Sequence, residues 1–207
     1  EEMATHLVSA EARWASRGEK ALTSAIGGSD ETGIWGYISA VEELAVDMAR
    51  CDLQRTAIVH ATGSGGTQAG LNAGVLLHDV PADVISYAVC DDEAYFNEKA
   101  QQDWDNLRAK RSDLPNKPIK TQTVDSYIGP GYGRAGSEVF DTLTELAALE
   151  GIALDPVYTG KAFHGLIADL EAGTFRSDAS DIIFVHTGGV FGIFPHASAV
   201  KAALDSE

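Results

Sequence analysis

Three short stretches place chemistry-bearing residues where a turn would present them. The first, Gly63-Ser64-Gly65-Gly66-Thr67, follows the apolar run Ala57-Ile58-Val59-His60 and opens a helical pattern that contains Gly70. Glycines let a backbone turn sharply and point consecutive N–H groups outward, and a helix N-terminus adds partial positive charge. With the hydroxyls of Ser64 and Thr67, the stretch reads as an anion cradle that needs no lysine. The bland alternative is a tight strand–helix turn with no ligand. A nucleoside-triphosphate loop would require a Gly-Lys-Ser/Thr ending, which is absent. A dinucleotide fingerprint would require glycine at the sixth position from Gly63, where this chain has Gln68. Even so, Asp91-Asp92-Glu93 stands after the next strand, about where a ribose-binding carboxylate would sit, so dinucleotide binding stays open on spacing alone. That acidic triplet reads first as a helix N-cap with an acidic first turn.

The second stretch, Asp155-Pro156-Val157-Tyr158-Thr159-Gly160-Lys161, brings a phenol and a hydroxyl to a strand end ahead of a helix. Tyr158 either touches a substrate or fills the edge of the core. Lys161 reads as a solvated first-turn residue. The third, His186-Thr187-Gly188-Gly189, follows the apolar Ile182-Ile183-Phe184-Val185. A hydroxyl beside two glycines can approach a flat ligand closely, or the segment is a plain turn. His60, His164 and His196 show no ligand spacing and read as structural. The two cysteines, Cys51 and Cys90, make no metal-type spacing and read as free thiols of a reducing compartment. No nucleophile elbow, metal ligand set or isolated carboxylate pair stands out.

For these stretches to meet, they must hang from one frame. Residues 5–18 carry Leu7, Val8, Ala12 and Trp14 at helical spacing. Residues 21–26 read as a strand stopped by Gly27-Gly28, and Ser29 or Asp30 as the cap of a helix running from near Gly33 through Val41, Leu44 and Met48. Strands are predicted over 55–61, 83–90, 119–124 and 181–186, with 152–157 a further short apolar run. Helices are predicted over 67–77, from the acidic triplet to about 110, and over 137–149, 161–170 and 197–204. Pro115 and Pro118 make 112–118 a loop. Gly129-Pro130-Gly131-Tyr132-Gly133 is a second glycine-rich connection. Repeated strand–helix units predict an α/β protein, a mostly parallel, open, twisted sheet with helices on both faces. In such sheets ligands sit beyond the carboxyl ends of strands, where all three stretches fall.

The 207 residues carry 15 Lys+Arg against 31 Asp+Glu, a formal charge of −16. A phosphate-tracking surface needs clustered cations, so this balance argues against nucleic acid and against an anionic membrane. Residues 56–78 are uncharged and long enough to raise the question of a span, but 62–68 is a polar, glycine-rich middle that a spanning helix would tolerate badly. The opening Glu1-Glu2-Met3-Ala4-Thr5-His6 is acidic and polar, unlike a secretory signal, which leads to the expectation of a cytoplasmic protein. The length fits one large domain, or one domain plus part of another.

The stretches Ala61 to Gly70, Asp155 to Lys161 and His186 to Gly189, in that order, resemble the D-cysteine desulfhydrase and 1-aminocyclopropane-1-carboxylate deaminase family, pyridoxal-phosphate enzymes with a fold like the tryptophan synthase β-chain. Ile26-Gly27-Gly28-Ser29, Gly36-Tyr37 and Glu42-Glu43 look like the family's entry into its larger domain. The resemblance implies that Gly63, Ser64, Gly65, Gly66 and Thr67 hold the phosphate of pyridoxal 5'-phosphate. It implies that Tyr158 lies near substrate and cofactor as the catalytic residue of this chain, that Thr159 and Gly188 bind the cofactor, and that Thr187 lies near the pyridine nitrogen as an uncharged partner. Ring-opening members typically carry Glu where this chain has Thr159, and desulfhydrase-like members carry Thr. A neutral hydroxyl suits β-elimination, so the expected substrate is a small sulfur-bearing amino acid such as D-cysteine, or L-cysteate, with the ring-opening deaminase as the alternative. The resemblance also implies a homodimer. Residues 1–28 would be the remnant of a smaller middle domain, and 29–207 the larger cofactor-binding domain without its N-terminal strands. The Schiff-base lysine lies upstream of the matched segment in the family, so the expectation is a fragment, a chain completed by another, or an inactive binding module. An NAD(P)-binding oxidoreductase is the rival from another class.

Overall fold

The structure is a computed structural model and describes residues 2–205. Among them, helices α1 (Glu2–Ala15), α2 (Trp35–Arg50), α3 (Gly66–Leu77), α4 (Glu93–Lys110), α5 (Ser137–Glu150), α6 (Thr159–Ala172) and α7 (Ala197–Leu204) alternate with strands β1 (Thr56–Thr62), β2 (Ala82–Ala88), β3 (Thr123–Val124) and β4 (Asp181–Phe184). The strands form one parallel sheet in the order β3-β2-β1-β4. From β1 the chain steps outward to β2 and β3, then returns to the other side of β1 for β4. The chain thus leaves β1 on one side while β4, the last strand among the described residues, lies on the other, and the carboxyl ends of these two neighbours are where such sheets take ligands.

Side-chain alternation along the strands sorts the core into two faces. Ala57, Val59 and Ala61 join Ile85 and Tyr87 against Ala162 and Leu166 of α6. Ile58 and Val84 point the other way, onto Val41 and Met48 of α2 and Leu71 of α3. Every residue of β1 is buried, as expected of a central parallel strand covered on both sides. Each fully buried Val or Ile contributes roughly 1.5–3 kcal/mol. Two α3 glycines serve packing: a Cβ on Gly70 would stand 2.7 Å from Ile34 O, and one on Gly74 2.7 Å from Val41 Cβ. Helix α2 can therefore lie close against the helix that opens the cradle.

Several predicted elements differ. Residues 21–26 are not a strand but an exposed approach to a 3-10 turn at Ile26–Gly28. Leu22 is 96% exposed there, and among the described residues no strand lies beside it to take its backbone bonds. The strand expected over 119–124 is reduced to Thr123–Val124. Upstream of it, Ile119 N–H donates to the Gln101 side chain and Lys117 O accepts from the Trp104 indole, so α4 and not β2 takes those groups. Residues 152–157 form no strand, because Asp155 bends the chain into the start of α6. Asp30 Oδ1 caps the turn leading to α2 by accepting the Thr32 and Gly33 N–H groups, whereas Ser29 faces α3. No helix among the described residues is long and apolar enough to cross a membrane.

Candidate cofactor site

β1 delivers the chain to Gly63, just beyond its carboxyl end. Gly65 then takes φ +87°, a left-handed turn that side chains rarely adopt, and α3 begins. Gly66 N–H donates to Ser29 Oγ at 3.1 Å, and the Ser29 hydroxyl donates to Ser64 Oγ at 2.7 Å. Among the described residues nothing accepts from the N–H groups of Ser64, Gly65, Thr67 or Gln68. These are the orphan donors of a helix start, bundled where the macrodipole is positive. Ser64 and Thr67 are half-buried, and Gly65 and Gly66 buried. Lys99 crosses beside Gly65, its ammonium on Ser29 O at 3.1 Å and paired with Asp103. It pins the main chain of the residue that closes the cradle.

Tyr158 packs over this loop: a Cβ on Gly63 would stand 2.9 Å from Tyr158 Cε1 and 3.1 Å from Val89 Cγ2. Its hydroxyl meets that of Tyr132, and the two rings lie edge to face with centroids 5.8 Å apart. Burial, then the bond to Tyr132, raises the Tyr158 phenol well above the ordinary tyrosine value, so it keeps its proton at neutral pH. Burial likewise raises the neighbouring Cys90 thiol to about 11, and its S–H lies 3.5 Å from Gly63 O.

Asp155 builds the turn that aims Tyr158. Its buried carboxylate accepts the N–H groups of Val157 and Tyr158 on Oδ2, at 2.8 and 2.9 Å, and the Thr159 N–H and hydroxyl on Oδ1, at 2.8 and 2.7 Å. A carboxylate ahead of a helix start satisfies the orphan donors and the dipole together. A Cβ on Gly189 would stand 2.9 Å from Asp155 Cγ, so the third stretch seats on the second. His186 Nε2 is 2.9 Å from Ala153 O and closes the same contact. Thr187 is left exposed and Gly188 half-buried at the end of β4. Thr159 is wholly buried, with its hydroxyl spent on Asp155. Residues 63–67 and Tyr158 thus meet directly, Gly189 seats on Asp155 and Thr187 and Gly188 follow β4 at the same end of the sheet, whereas Thr159 faces inward and acts on the shape of the turn.

Lys161 departs from the solvated residue expected. It is 1% exposed and donates to the main-chain oxygens of Ile128 and Gly131. The acidic triplet resolves as a cap: Asp92 Oδ1 accepts the Tyr95 N–H at 2.8 Å. His60 pairs with Ser86, His164 with Thr142, and His196 packs on Phe140, all structural uses. Four contributors escaped the sequence: Ser29, Tyr132, Lys161 and the capping function of Asp155. Only the last had a local signal, an Asp four residues ahead of Thr159 at a helix start. A concavity of about 370 Å³ lies at the opposite, amino end of the strands. Its charges cancel one another, Arg55 on Asp178 and Lys120 on Asp83, so it competes poorly for a charged ligand.

Comparison with known proteins decides the family, because residues 3–188 match the pattern of the pyridoxal-phosphate-dependent enzymes. The chain belongs to the pyridoxal-phosphate-dependent enzyme family. It is 35% identical over 219 residues to the mitochondrial bifunctional D-cysteine desulfhydrase/1-aminocyclopropane-1-carboxylate deaminase of Arabidopsis thaliana, covering 96% of this chain and 53% of that protein. It is 38% identical over 173 residues to the D-cysteine desulfhydrase of Yersinia pestis (strain Pestoides F), covering 83% of this chain and 51% of that protein. The crystal structure of an ACC deaminase homologue superposes with a TM-score of 0.85 at 28% identity, over 98% of this chain and 59% of that one. The chain spans about half the length of the curated relatives it matches. Its α/β architecture and parallel sheet are those of the deaminase-like fold.

Pyridoxal phosphate, the family's cofactor, fits the residues present. Its phosphate needs a cluster of free N–H donors, and Ser64, Gly65, Thr67 and Gln68 have them. Its flat ring needs close backbone approach, which Gly188 allows.

Proposed function

We propose that this chain is the cofactor-binding part of a pyridoxal-phosphate-dependent lyase that acts on a small amino acid, by β-elimination from a sulfur-bearing substrate: D-cysteine would lose its sulfur as hydrogen sulfide, and water would hydrolyse the remaining aminoacrylate to pyruvate and ammonia. The observation that carries the reading is the group of N–H donors without a partner among the described residues at the start of α3, beyond the carboxyl end of β1, with Tyr158 packed over them. Ser64, Gly65, Thr67 and Gln68 would bind the phosphate dianion through main-chain N–H groups, and the Ser64 and Thr67 hydroxyls would add donors. When bound, pyridoxal phosphate supplies an electron sink for a carbanion at the substrate's Cα. Thr187, exposed and uncharged, would offer the ring nitrogen a neutral partner. Tyr158 would hold a proton on its Oη within a hydroxyl pair with Tyr132, ready to hydrogen-bond a leaving group or a substrate carboxylate. Thr159 supports the desulfhydrase side of the family through what it withholds, since position 159 carries no carboxylate and its hydroxyl is committed to Asp155.

Residues 5–28 are nearly all exposed and burial begins at Ser29, which supports assigning 1–28 to a smaller domain and 29–207 to the larger one. A homodimer and a cytoplasmic site of action complete the proposal. The test is a 2-oxo acid assay of the full-length gene product loaded with pyridoxal phosphate, offered D-cysteine, L-cysteate and 1-aminocyclopropane-1-carboxylate in parallel. Preferential turnover of D-cysteine is the expected result. Turnover of the cyclopropane acid alone overturns the elimination reading, and a protein that takes up no pyridoxal phosphate overturns the site.

A further inference from the structure

Lys161 is buried beside the site, and nothing proposed above uses it. Its ammonium donates to Ile128 O at 2.7 Å and Gly131 O at 2.8 Å, with Val89 O at 3.5 Å. No carboxylate forms an ion pair with it among the described residues. A buried charge without a counter-ion is costly unless each of its protons finds an acceptor, and three carbonyl oxygens match three ammonium protons. Burial lowers the proton affinity of Lys161, against the pull of Cys90 and Asp155. The carbonyls come from the end of β2 and from the glycine-rich loop, whose Gly129, Gly131 and Gly133 all take positive φ. Such a loop has little stiffness of its own and little ladder bonding: Arg134 N–H to Gly131 O is its one internal backbone bond among the described residues. It carries Tyr132, the partner of the Tyr158 hydroxyl.

We propose that Lys161 is a positioning residue whose ammonium serves as the built-in monovalent cation of a main-chain carbonyl ring, and that this ring holds the 128–133 loop so that Tyr132 meets Tyr158. Its place in catalysis rests on the reading of Tyr158 given above, but the ring itself does not. Without the cation the carbonyl dipoles face one another unpaired, and the loop opens. A small cation of similar size can refill the ring, and a bulky one cannot.

Hydrogen–deuterium exchange of the Arg134 amide, whose N–H donates to Gly131 O inside this loop, tests this in the wild-type chain, in Lys161→Ala and in Lys161→Met, each in ammonium chloride and in choline chloride. In choline both variants are expected to exchange this amide up to roughly tenfold faster than wild type, the effect of losing the one neutral backbone bond that the ordered loop gives it. In ammonium, Lys161→Ala is expected to recover most of the protection. Lys161→Met, whose stem blocks the ring, is expected to stay open. Unchanged protection in both variants overturns the proposal, and so does a loss in Lys161→Ala that is the same in both salts. If Lys161→Ala fails to fold, Lys161→Met decides: fast exchange of this amide with α6 still protected supports the ring, and wild-type protection overturns it. A wild-type chain that binds no pyridoxal phosphate would sink the cofactor reading and leave these loop measurements standing.

Discussion

Lowering the pH from about 7 to about 4 is expected to strip this protein of a definite amount of stability through one side chain. His60 lies wholly buried in β1, with Nδ1 2.9 Å from Ala61 O and Nε2 2.8 Å from Ser86 Oγ. A neutral ring satisfies both contacts, donating from Nδ1 and accepting the Ser86 hydroxyl at Nε2. Protonation puts a charge between two packed layers with no carboxylate bonded to it, and burial therefore holds the imidazole down at about 4 against an ordinary 6.5. Between those two values the unfolded chain binds a proton that the folded chain refuses, so stability falls as the pH falls through that window and levels off below it. The window from 6.5 down to about 4, at about 1.4 kcal/mol per pH unit, gives about 3 kcal/mol. Urea denaturation followed by circular dichroism, on wild type and His60→Gln across this range, measures it. Many carboxylates titrate in the same window, so the quantity of interest is the difference between the two proteins. Wild type should lose about 3 kcal/mol more than the variant. Parallel curves would refute the reasoning and mean that the charged ring finds solvent or an acceptor in the folded state.

Three further outcomes follow from the packing around the site. Gly66→Ala sets a methyl 2.5 Å from Ser29 Oγ and 3.2 Å from Ser29 Cα, forcing the cradle open. It should cost about 1–3 kcal/mol in thermal unfolding and weaken pyridoxal phosphate binding at least roughly tenfold by calorimetry, with partial recovery in a Ser29→Gly double variant. Asp155→Asn turns an amide donor toward N–H groups that a carboxylate accepts. It should cost about 2–4 kcal/mol in chemical denaturation and loosen Tyr158, seen as a lost near-ultraviolet dichroism band. Gly165→Ala drives a methyl to 2.7 Å from Tyr87 and 2.8 Å from Tyr127, the two phenols that donate to Asp169. It should cost about 1–3 kcal/mol with the affinity for pyridoxal phosphate unchanged, since that cluster lies under α6 and away from the cradle.

Local chemistry made much of this protein readable from its letters. The run at 57–61 reads as a covered strand, and the turn after Thr62 as one that presents N–H groups, because glycines and a helix start are properties of neighbours in the chain. The family resemblance rested on such local strings, and the match over residues 3–188 agrees with it. The errors arose where distant groups set the outcome. Residues 21–26 had strand-like letters and, among the described residues, no strand to pair with, and the Ile119 N–H went to the Gln101 side chain of α4, so that pairing with β2 begins only at Gln122. Lys161 looked like any first-turn lysine until the 128–133 loop supplied carbonyls from some thirty residues away. Sequence by itself determined which turns could hold an anion and which fold would carry them, since both follow from residue type and spacing. Only the folded chain decided that Ser29 closes the cradle, that Tyr132 reaches Tyr158 and that Thr159 turns inward. Each of those depends on which parts of the chain the parallel sheet brings side by side.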